Sequence, residues 1–330
     1  MDEDRLDYLA QIASWYYEDN LSQEAIAKRI GRSPSMISRL LQEARDNNLI
    51  EIRVRFPLKR NAELEERLRE TFGLAQAWVL ANPPADREAL FHRLGKLGAR
   101  CLQQHLQDNV KIGVGWGTAV YHVVRAMPTA AVQGATVIQV IGSIGSGDPT
   151  VDGTQMARWL AEKLDATTRT LHAPLIVENR AIVQSLLQDP AIAETLRWTT
   201  QVDVTLLGVG TTDPVSSGMR RAGYMSEATL QALQQAGAVG DILGFHLDIN
   251  GNLLDVSLNQ RVIGASIESL RRVPTSIVVA SGDNKVLAVL ATLRGGYADI
   301  LITDAATASA VLTHHAQPVV TTQLETLATQ

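Results

Sequence analysis

One cysteine, Cys101, is all that the chain of 330 residues contains. An intramolecular disulfide and a cysteine-rich zinc site are therefore excluded, and Cys101 itself reads as a small buried hydrophobe. No uninterrupted apolar run reaches the about 18 residues that a membrane-spanning helix needs. The acidic opening MDEDRLDYLA lacks the basic and then apolar character of a signal peptide. The expected location is the cytoplasm, with no membrane partner. Lysine is missing from the whole interval between Lys111 and Lys163, so the strand-like run 136–141 cannot supply a Schiff base. His314 and His315 are adjacent and fall on different faces of a helix, which is not a two-histidine metal site. Neither a metal nor a cofactor is expected.

What is present is an ordinary globular composition, with 45% hydrophobic and 20% charged residues. Wholesale disorder, a collagen-like repeat and a coiled-coil rod are disfavoured, and the length suits roughly two domains. The formal net charge of -5 conceals an asymmetry. Residues 28–60 hold nine Lys or Arg against three acids, whereas residues 1–24 hold one Arg against seven acids. A basic segment in an otherwise acidic chain is the footprint of one small module that meets a polyanion.

The pattern within that segment is specific. Leu6, Leu9, Ile12 and Ala13 recur at helical spacing over residues 4–18. Ser22 stands where an N-cap belongs before a short second helix whose apolar residues Ala25, Ile26 and Ile30 stop at Gly31. Ser33 caps a third helix with Pro34 at its first position, where a missing amide proton does no harm. Ile37, Leu40, Leu41 and Ala44 form its buried stripe. Two short helices around a tight glycine turn match a helix-turn-helix. The third helix leaves Ser35, Met36, Ser38, Arg39 and Gln42 facing outward, with Lys28, Arg32 and Ser33 beside them. This set contains hydrogen-bonding groups, one apolar contact and one candidate bidentate reader of guanine. Alternation over residues 48–56 fits a β-ribbon wing that carries Arg53 and Arg55 towards phosphates.

The run YYEDNLSQEAIAKRIGRSPSMISRLLQEARDNNLIEIRV, residues 16–54, resembles the amino-terminal domain of the SorC family of sugar-responsive bacterial transcriptional regulators. Residues 1–57 are accordingly expected to form a winged helix-turn-helix DNA-binding domain.

Beyond a joint at 57–61 and an amphipathic connector carrying Leu64, Leu68 and Phe72, strand-like and helix-like runs alternate. The strand-like runs are 110–114, 136–141, 168–172, 202–209, 276–280 and 299–302, with helical segments at 154–164, 226–236 and 284–293 between some of them. Such alternation predicts an α/β domain with a mainly parallel sheet, whose ligands sit beyond the carboxyl ends of the strands. Asn250-Gly251 predicts a hairpin between arms 243–249 and 253–257. Gly113-Val114-Gly115-Trp116-Gly117-Thr118 ends a strand and opens a helix, which suits a phosphate. It lacks both the Lys-Ser/Thr ending of a nucleoside-triphosphate loop and the spacing of a dinucleotide fingerprint. Gly142–Gly147, Gly208–Thr212 and Ser281-Gly282-Asp283 repeat the theme at other strand ends, which together point to a phosphorylated small molecule.

The resemblance continues through GVGWGT (113–118), LHAPLIVEN (171–179), GVGTTDPVSSGMRRAGYMSE (208–227), AGAVGDILGFHLDINGNLLD (236–255), RVIGASIESLRRVP (261–274) and VLATLRGGYADILITD (289–304). It implies that residues 58–330 form a Rossmann-like α/β domain resembling sugar-phosphate isomerases and deaminases, which binds an effector and joins subunits into a homo-oligomer, a tetramer by analogy. It also implies Gly115, Trp116, Gly117 and Thr118 at the phosphate, with Gln155, Asp248, Glu268 and Lys285 towards the sugar or a second charged group. On their own, Asp248, Glu268 and Lys285 read as a turn carboxylate, a surface ion-pair partner and an exposed helix lysine. Ala119 stands where the family's loop often has a second threonine, so one hydroxyl donor is absent. The expected function is a DNA-binding regulator, a repressor by analogy, of a carbohydrate operon, with operator DNA and a phosphorylated sugar as partners. An active isomerase or deaminase, using some pair among Asp248, Glu268, His246 and His172, and a constitutive DNA-architectural protein are the competing readings.

Overall fold

The computed structural model describes residues 3–47, 49–50, 57–145 and 152–317. The chain divides into two units, Met1–Pro57 and Leu58–Gln330.

The first unit contains helices α1 (Glu3–Tyr17), α2 (Gln23–Ile30) and α3 (Pro34–Asp46). The local signals act as the physics requires. The Ser22 side chain accepts from the Ala25 amide, Gly31 closes α2 in the left-handed conformation at φ 66°, and Ser33 accepts from the Met36 amide with Pro34 at the helix start. Leu9, Ile12, Ile26, Ile37, Leu40, Leu41 and Ala44 form one small core. Outside it, Arg5 grips Glu43 through two hydrogen bonds of 3.0 and 2.6 Å and ties α1 to α3. The wing expected over 48–56 falls mostly on residues 48 and 51–56, which lie outside the described residues, as do Arg53 and Arg55.

The second unit runs α4 (Ala62–Phe72), β1 (Gln76–Leu80), α5 (Arg87–Gln103), β2 (Lys111–Val114), α6 (Thr118–Ala126), β3 (Thr136–Gln139), α7 (Gly153–Leu164) and β4 (Thr167–Arg169). It continues with α8 (Arg180–Leu187), α9 (Pro190–Thr199), β5 (Val204–Thr211), α10 (Gly218–Arg221), α11 (Glu227–Gln235), β6 (Gly240–Ile242) and β7 (Phe245–Leu247). It closes with α12 (Ile267–Leu270), β8 (Thr275–Val279), α13 (Val286–Arg294), β9 (Ile300–Asp304) and α14 (Ala305–Ala316). The sheet order is β1-β9-β8-β5-β2-β3-β4, every neighbouring pair parallel, while β6 and β7 extend antiparallel from the end of β5. Successive side chains of β1 enter opposite cores, Ala77 and Val79 on the α4, α11, α13 and α14 side, Trp78 and Leu80 on the α5, α6 and α7 side. A sheet covered on both faces has its strand ends as the places where polar groups can gather.

Three differences from the sequence expectations have physical causes. Strand β1, five residues between Gly73 and Asn82-Pro83-Pro84, is an addition to the expected strand-like runs, too short to set its own period apart from the connector helix before it. The Asn250-Gly251 turn forms, with Gly251 at φ 81° and its amide donating to the Asp248 carbonyl, yet its far arm makes only one bridge, Leu247 to Leu253. The paired hairpin lies earlier, β6 to β7 about Leu243-Gly244, both at positive φ (50° and 78°). A non-glycine residue is held there because Leu243 is buried in the core.

The joint after the first unit is pinned. Asn61 N donates to Val79 O (2.8 Å) and Ala81 N to Lys59 O (2.9 Å), and Arg60 bridges Leu80. Arg60 also donates to both oxygens of Glu65 (2.6 and 2.9 Å) and lies over the Trp78 ring at 4.0 Å.

Helix α5 approaches α6 closely at Gly95, where a Cβ would stand 2.4 Å from the His122 carbonyl oxygen. Gly95→Ala is expected to destabilise the chain by about 1–3 kcal/mol through overpacking against backbone, read as a lower Tm in thermal unfolding followed by circular dichroism.

Candidate functional site

An open pocket with about 730 Å³ of space, its mouth included, lies beyond the carboxyl ends of β2, β5 and β8. Gly115–Thr118 and Lys285 line it. Strand β2 delivers the loop because Gly115 N donates to Leu206 O (3.0 Å), and Gly117 adopts φ 119°, ψ 160°, a conformation suited to glycine, to turn directly into α6. Nine described helices of eight or more residues begin with a Ser, Asn or Asp side chain that accepts an orphan amide. Helices α6 and α13 have no such cap. The uncapped start of α6 contributes to this pocket with Thr118 and Ala119, whereas α13 is preceded without a break by a 3-10 turn over Asp283–Lys285, the Val286 amide donating to Asp283 O, and only Lys285 of that turn reaches the pocket. Free amides at a helix start carry partial positive charge and suit an anion.

Side chains reinforce that field. Arg221, the last residue of α10, donates to Thr118 Oγ1 (3.4 Å), and Arg87 opens α5 on the pocket wall. Trp116 packs its ring where a Cβ on Gly218 would come within 2.9 Å, so Gly218 lets α10 approach the loop. One carboxylate, Asp241 of β6, also lines the pocket. It stands opposite Gly210 of β5, and a Cβ at 210 would overlap its carboxylate, so the missing side chain at 210 makes room for the acid. The Gly244 amide donates to Asp241 Oδ2 (3.2 Å).

Lys285 keeps some exposed surface, but its ammonium is deep in protein and donates to the Val209 carbonyl. Burial lowers its pKa from 10.5 to about 8; Asp241 opposes that shift, and Arg87 and Arg221 add to it.

Three residues of the expected ligand set do not line this pocket. Asp248 is outside the pocket lining: its carboxylate accepts from the Asn250 and Asn252 amides (2.9 and 2.8 Å) and from Asn252 Nδ2 (3.1 Å), holding the turn. Glu268 is exposed in the first turn of α12, and Gln155 sits half-buried on α7; neither lines the pocket. The sequence pattern does not single out Arg87, Arg221 or Asp241, which line the pocket. Arginines far apart in sequence give no local signal. Asp241 was discoverable only as the acid in a Gly-Asp pair at a strand end. Of the other acid-base candidates, His246 is buried opposite Asp241 in the ladder with Nδ1 unpartnered, and His172 is exposed beside Thr170.

In the first unit, Lys28, Arg32, Ser33, Ser35, Met36, Ser38, Arg39 and Gln42 are all exposed. Arg29 and Arg45 are engaged internally, the former over the Trp15 ring at 4.3 Å and the latter donating to the Tyr17 hydroxyl. Lys28, Arg32 and Arg39 hold no ion pair among the described residues. Ser33 is committed to its cap, and Gln42 donates to Asp46 (2.9 Å), a bond it must give up to reach a base edge. Among the described residues no helix is long and apolar enough to cross a membrane, and no group of three His, Cys, Asp or Glu is placed to hold a metal.

Comparison with known proteins adds two family matches, a profile described as "Putative sugar-binding domain" over residues 57–313 and a "Helix-turn-helix domain" over 10–44. The deoxyribonucleoside regulator of Bacillus subtilis is 31% identical over 94% of this chain and 99% of its own length. The crystal structure of the full-length sorbitol operon regulator SorC from Klebsiella pneumoniae superposes with a TM-score of 0.70 at 27% identity, covering 94% of this chain and all of that one. The sugar-binding domain of a transcriptional repressor from Vibrio fischeri gives a TM-score of 0.70 at 28% identity over 77% of this chain and 99% of its own.

The Lys285 pKa fixes a pH dependence. Below about 8 the folded chain carries the proton. Between about 8 and the ordinary 10.5 the unfolded chain binds a proton that the folded one does not, so burial of Lys285 penalises folding less as pH rises through that window. An anion seated beside Lys285 favours the protonated form and reverses the shift. Above about pH 8, where inorganic phosphate is already largely the dianion, its binding is therefore expected to weaken progressively as Lys285 loses its proton, with proton uptake on binding, in calorimetry across buffers of different ionisation enthalpy. Lys285→Met is expected to abolish that component.

Proposed function

From the premise that the chain belongs to the SorC family of sugar-binding transcriptional regulators, we propose that it represses a carbohydrate operon under the control of a phosphorylated sugar. The chain is a helix-turn-helix transcriptional regulator with a sugar-binding domain, and DNA and a sugar ligand are its partners. In the proposed arrangement residues 1–57 bind operator DNA and residues 58–330 bind the effector and hold subunits together as a tetramer in the cytoplasm.

The observation that carries the phosphate reading is the uncapped start of α6 behind Gly117, with Arg221 on Thr118 and Lys285 across the pocket. Amides, hydroxyl and cations converge on one volume, the donor set that a phosphate monoester needs and a neutral sugar does not. Asp241 then takes hydroxyl groups of the sugar. Binding is non-covalent at β3, which offers no lysine. The enzyme reading has less support: His172, His246, Asp248 and Glu268 do not line the pocket together, and the relatives named above are regulators. The architectural reading leaves an uncapped helix start and three cations gathered without a ligand. Repression is supported by the description of the Vibrio fischeri relative, and tetramer formation by the family resemblance.

On the DNA side, α3 enters the major groove. Arg39 reads guanine, Ser35, Met36, Ser38 and Gln42 contact base edges, and Lys28, Arg32, Ser33, Arg53 and Arg55 meet phosphates. The effector biases the subunit arrangement that engages both half-sites.

Three outcomes test this. In scanning fluorimetry over sugar phosphates and their unphosphorylated forms, a phosphorylated member raises the Tm and its free sugar does not. Thr118→Val removes that shift and leaves operator binding intact. Arg39→Ala lowers discrimination between operator and random DNA by about 1–3 kcal/mol in competition binding; equal selectivity to wild type rules out Arg39 as the base reader.

A further inference from the structure

A buried network behind the pocket fixes the direction of one hydroxyl. Asp304 ends β9 and caps α14, its Oδ1 accepting from the Ala306 and Thr307 amides (2.9 and 3.1 Å). Its Oδ2 accepts from Ser281 Oγ (2.5 Å) and Thr307 Oγ1 (2.6 Å). Thr307 Oγ1 in turn accepts from the Gly282 amide at 3.0 Å, so its own proton points at Asp304. Ser281, Asp304 and Thr307 are 4%, 3% and 1% exposed. A carboxylate with four donors has no proton to return, and a serine hydroxyl has one proton only. Ser281, which lines the pocket just past β8, has spent its proton on Asp304 and retains lone pairs.

Asp241 is likewise an acceptor. Lys285 is the cation beside it, already donating to Val209 O and facing the Asp241 charge. Apart from Lys285, whose charge Asp241 faces, the donors of the pocket gather at the start of α6 with Arg221. The two sides thus differ: one offers N–H and O–H groups alone, the other sets the oxygen lone pairs of Asp241 and Ser281 beside the single ammonium of Lys285.

We propose that Ser281, held by Asp304 and Thr307, forms with Asp241 a fixed acceptor pole that takes ligand hydroxyls, making Ser281 a specificity-determining residue for a singly phosphorylated sugar and excluding a bisphosphate. The proposal rests on the sugar-phosphate reading of the pocket and sharpens it. A second phosphate at that pole would meet a carboxylate and a lone pair against one ammonium that already faces the Asp241 charge and donates to Val209 O, and in a partly dry site like charge and unmatched acceptors are costly. A hydroxyl donates to both and leaves no group unpaired, and a site built around a hydroxyl donor rejects analogues that lack it.

The test is calorimetric titration of the full chain with inorganic phosphate, a panel of pentose and hexose monophosphates, and the matching bisphosphates. The best monophosphate is expected to bind at least about tenfold tighter than both inorganic phosphate and its own bisphosphate. Ser281→Ala is expected to lose about five- to tenfold against that monophosphate, with inorganic phosphate unchanged. Asp304→Asn replaces an acceptor with a donor towards Ser281, turns the serine proton loose and is expected to cause a similar loss. Where that variant loses its cap and fails to fold, Ser281→Ala decides. A bisphosphate tighter than its monophosphate, or a Ser281→Ala affinity equal to wild type, overturns the acceptor pole and leaves the sugar-phosphate reading standing. A panel in which nothing binds more tightly than inorganic phosphate overturns that reading and the proposal with it.

Discussion

Parallel pairing along the whole path from β1 to β4 is the constraint from which the chemistry of the second unit follows. Parallel neighbours must be joined by crossovers, so helices cover both faces and every strand finishes at the same edge. The ladder also fixes spacing. Val114, Leu206 and Ile277 are direct neighbours in the ladder, so Gly115, Gly208 and Ala280 just beyond them arrive at that edge in a short stagger. Only there can amides, hydroxyls and charges remain unpaired inside the module, since the faces are sealed by aliphatic side chains.

The ionic arrangement at that edge is internally dependent. The Asp241 carboxylate occupies the volume that a side chain at 210 would fill, so the strand that presents the acid and the strand that vacates space for it are paired partners. Lys285 is kept charged near neutrality partly by that acid, against burial and two arginines. The cluster is therefore poised: cations outnumber the acid, and an incoming anion relieves repulsion among groups that packing already holds in place.

Much of this was legible because it is local. Ser22, Gly31, Ser33 and Pro34 each act within four residues of themselves, and the helix boundaries of the first unit follow from them. The β-branched runs of the sheet and the glycine-rich strand ends are similarly short-range. Partnering was not legible. The stretch 240–251 holds two acids, and the written order gives no reason to prefer Asp241 over Asp248. Pairing of β6 with β5 turns the first towards the pocket, while the second is consumed by the Asn250 and Asn252 amides. Asn250-Gly251 is the stronger turn signal, but tertiary burial of Leu243 places the paired hairpin elsewhere. Arg87, Arg221 and Asp304 meet the glycine loops across separations of tens to hundreds of residues, which no periodicity encodes.

Strand β1 is the last strand of the sheet on its side, and its outer hydrogen-bonding groups would otherwise face solvent beside the apolar sequence Gln76-Ala-Trp-Val-Leu80. Residues 59–61 lie antiparallel along it, with Arg60 clamped by Glu65 and Trp78. The interdomain joint thus serves as an edge guard. A fragment that begins at Ala62 would keep every buried strand yet expose a ready template for sheet-to-sheet aggregation, whereas one beginning at Leu58 carries its own protection.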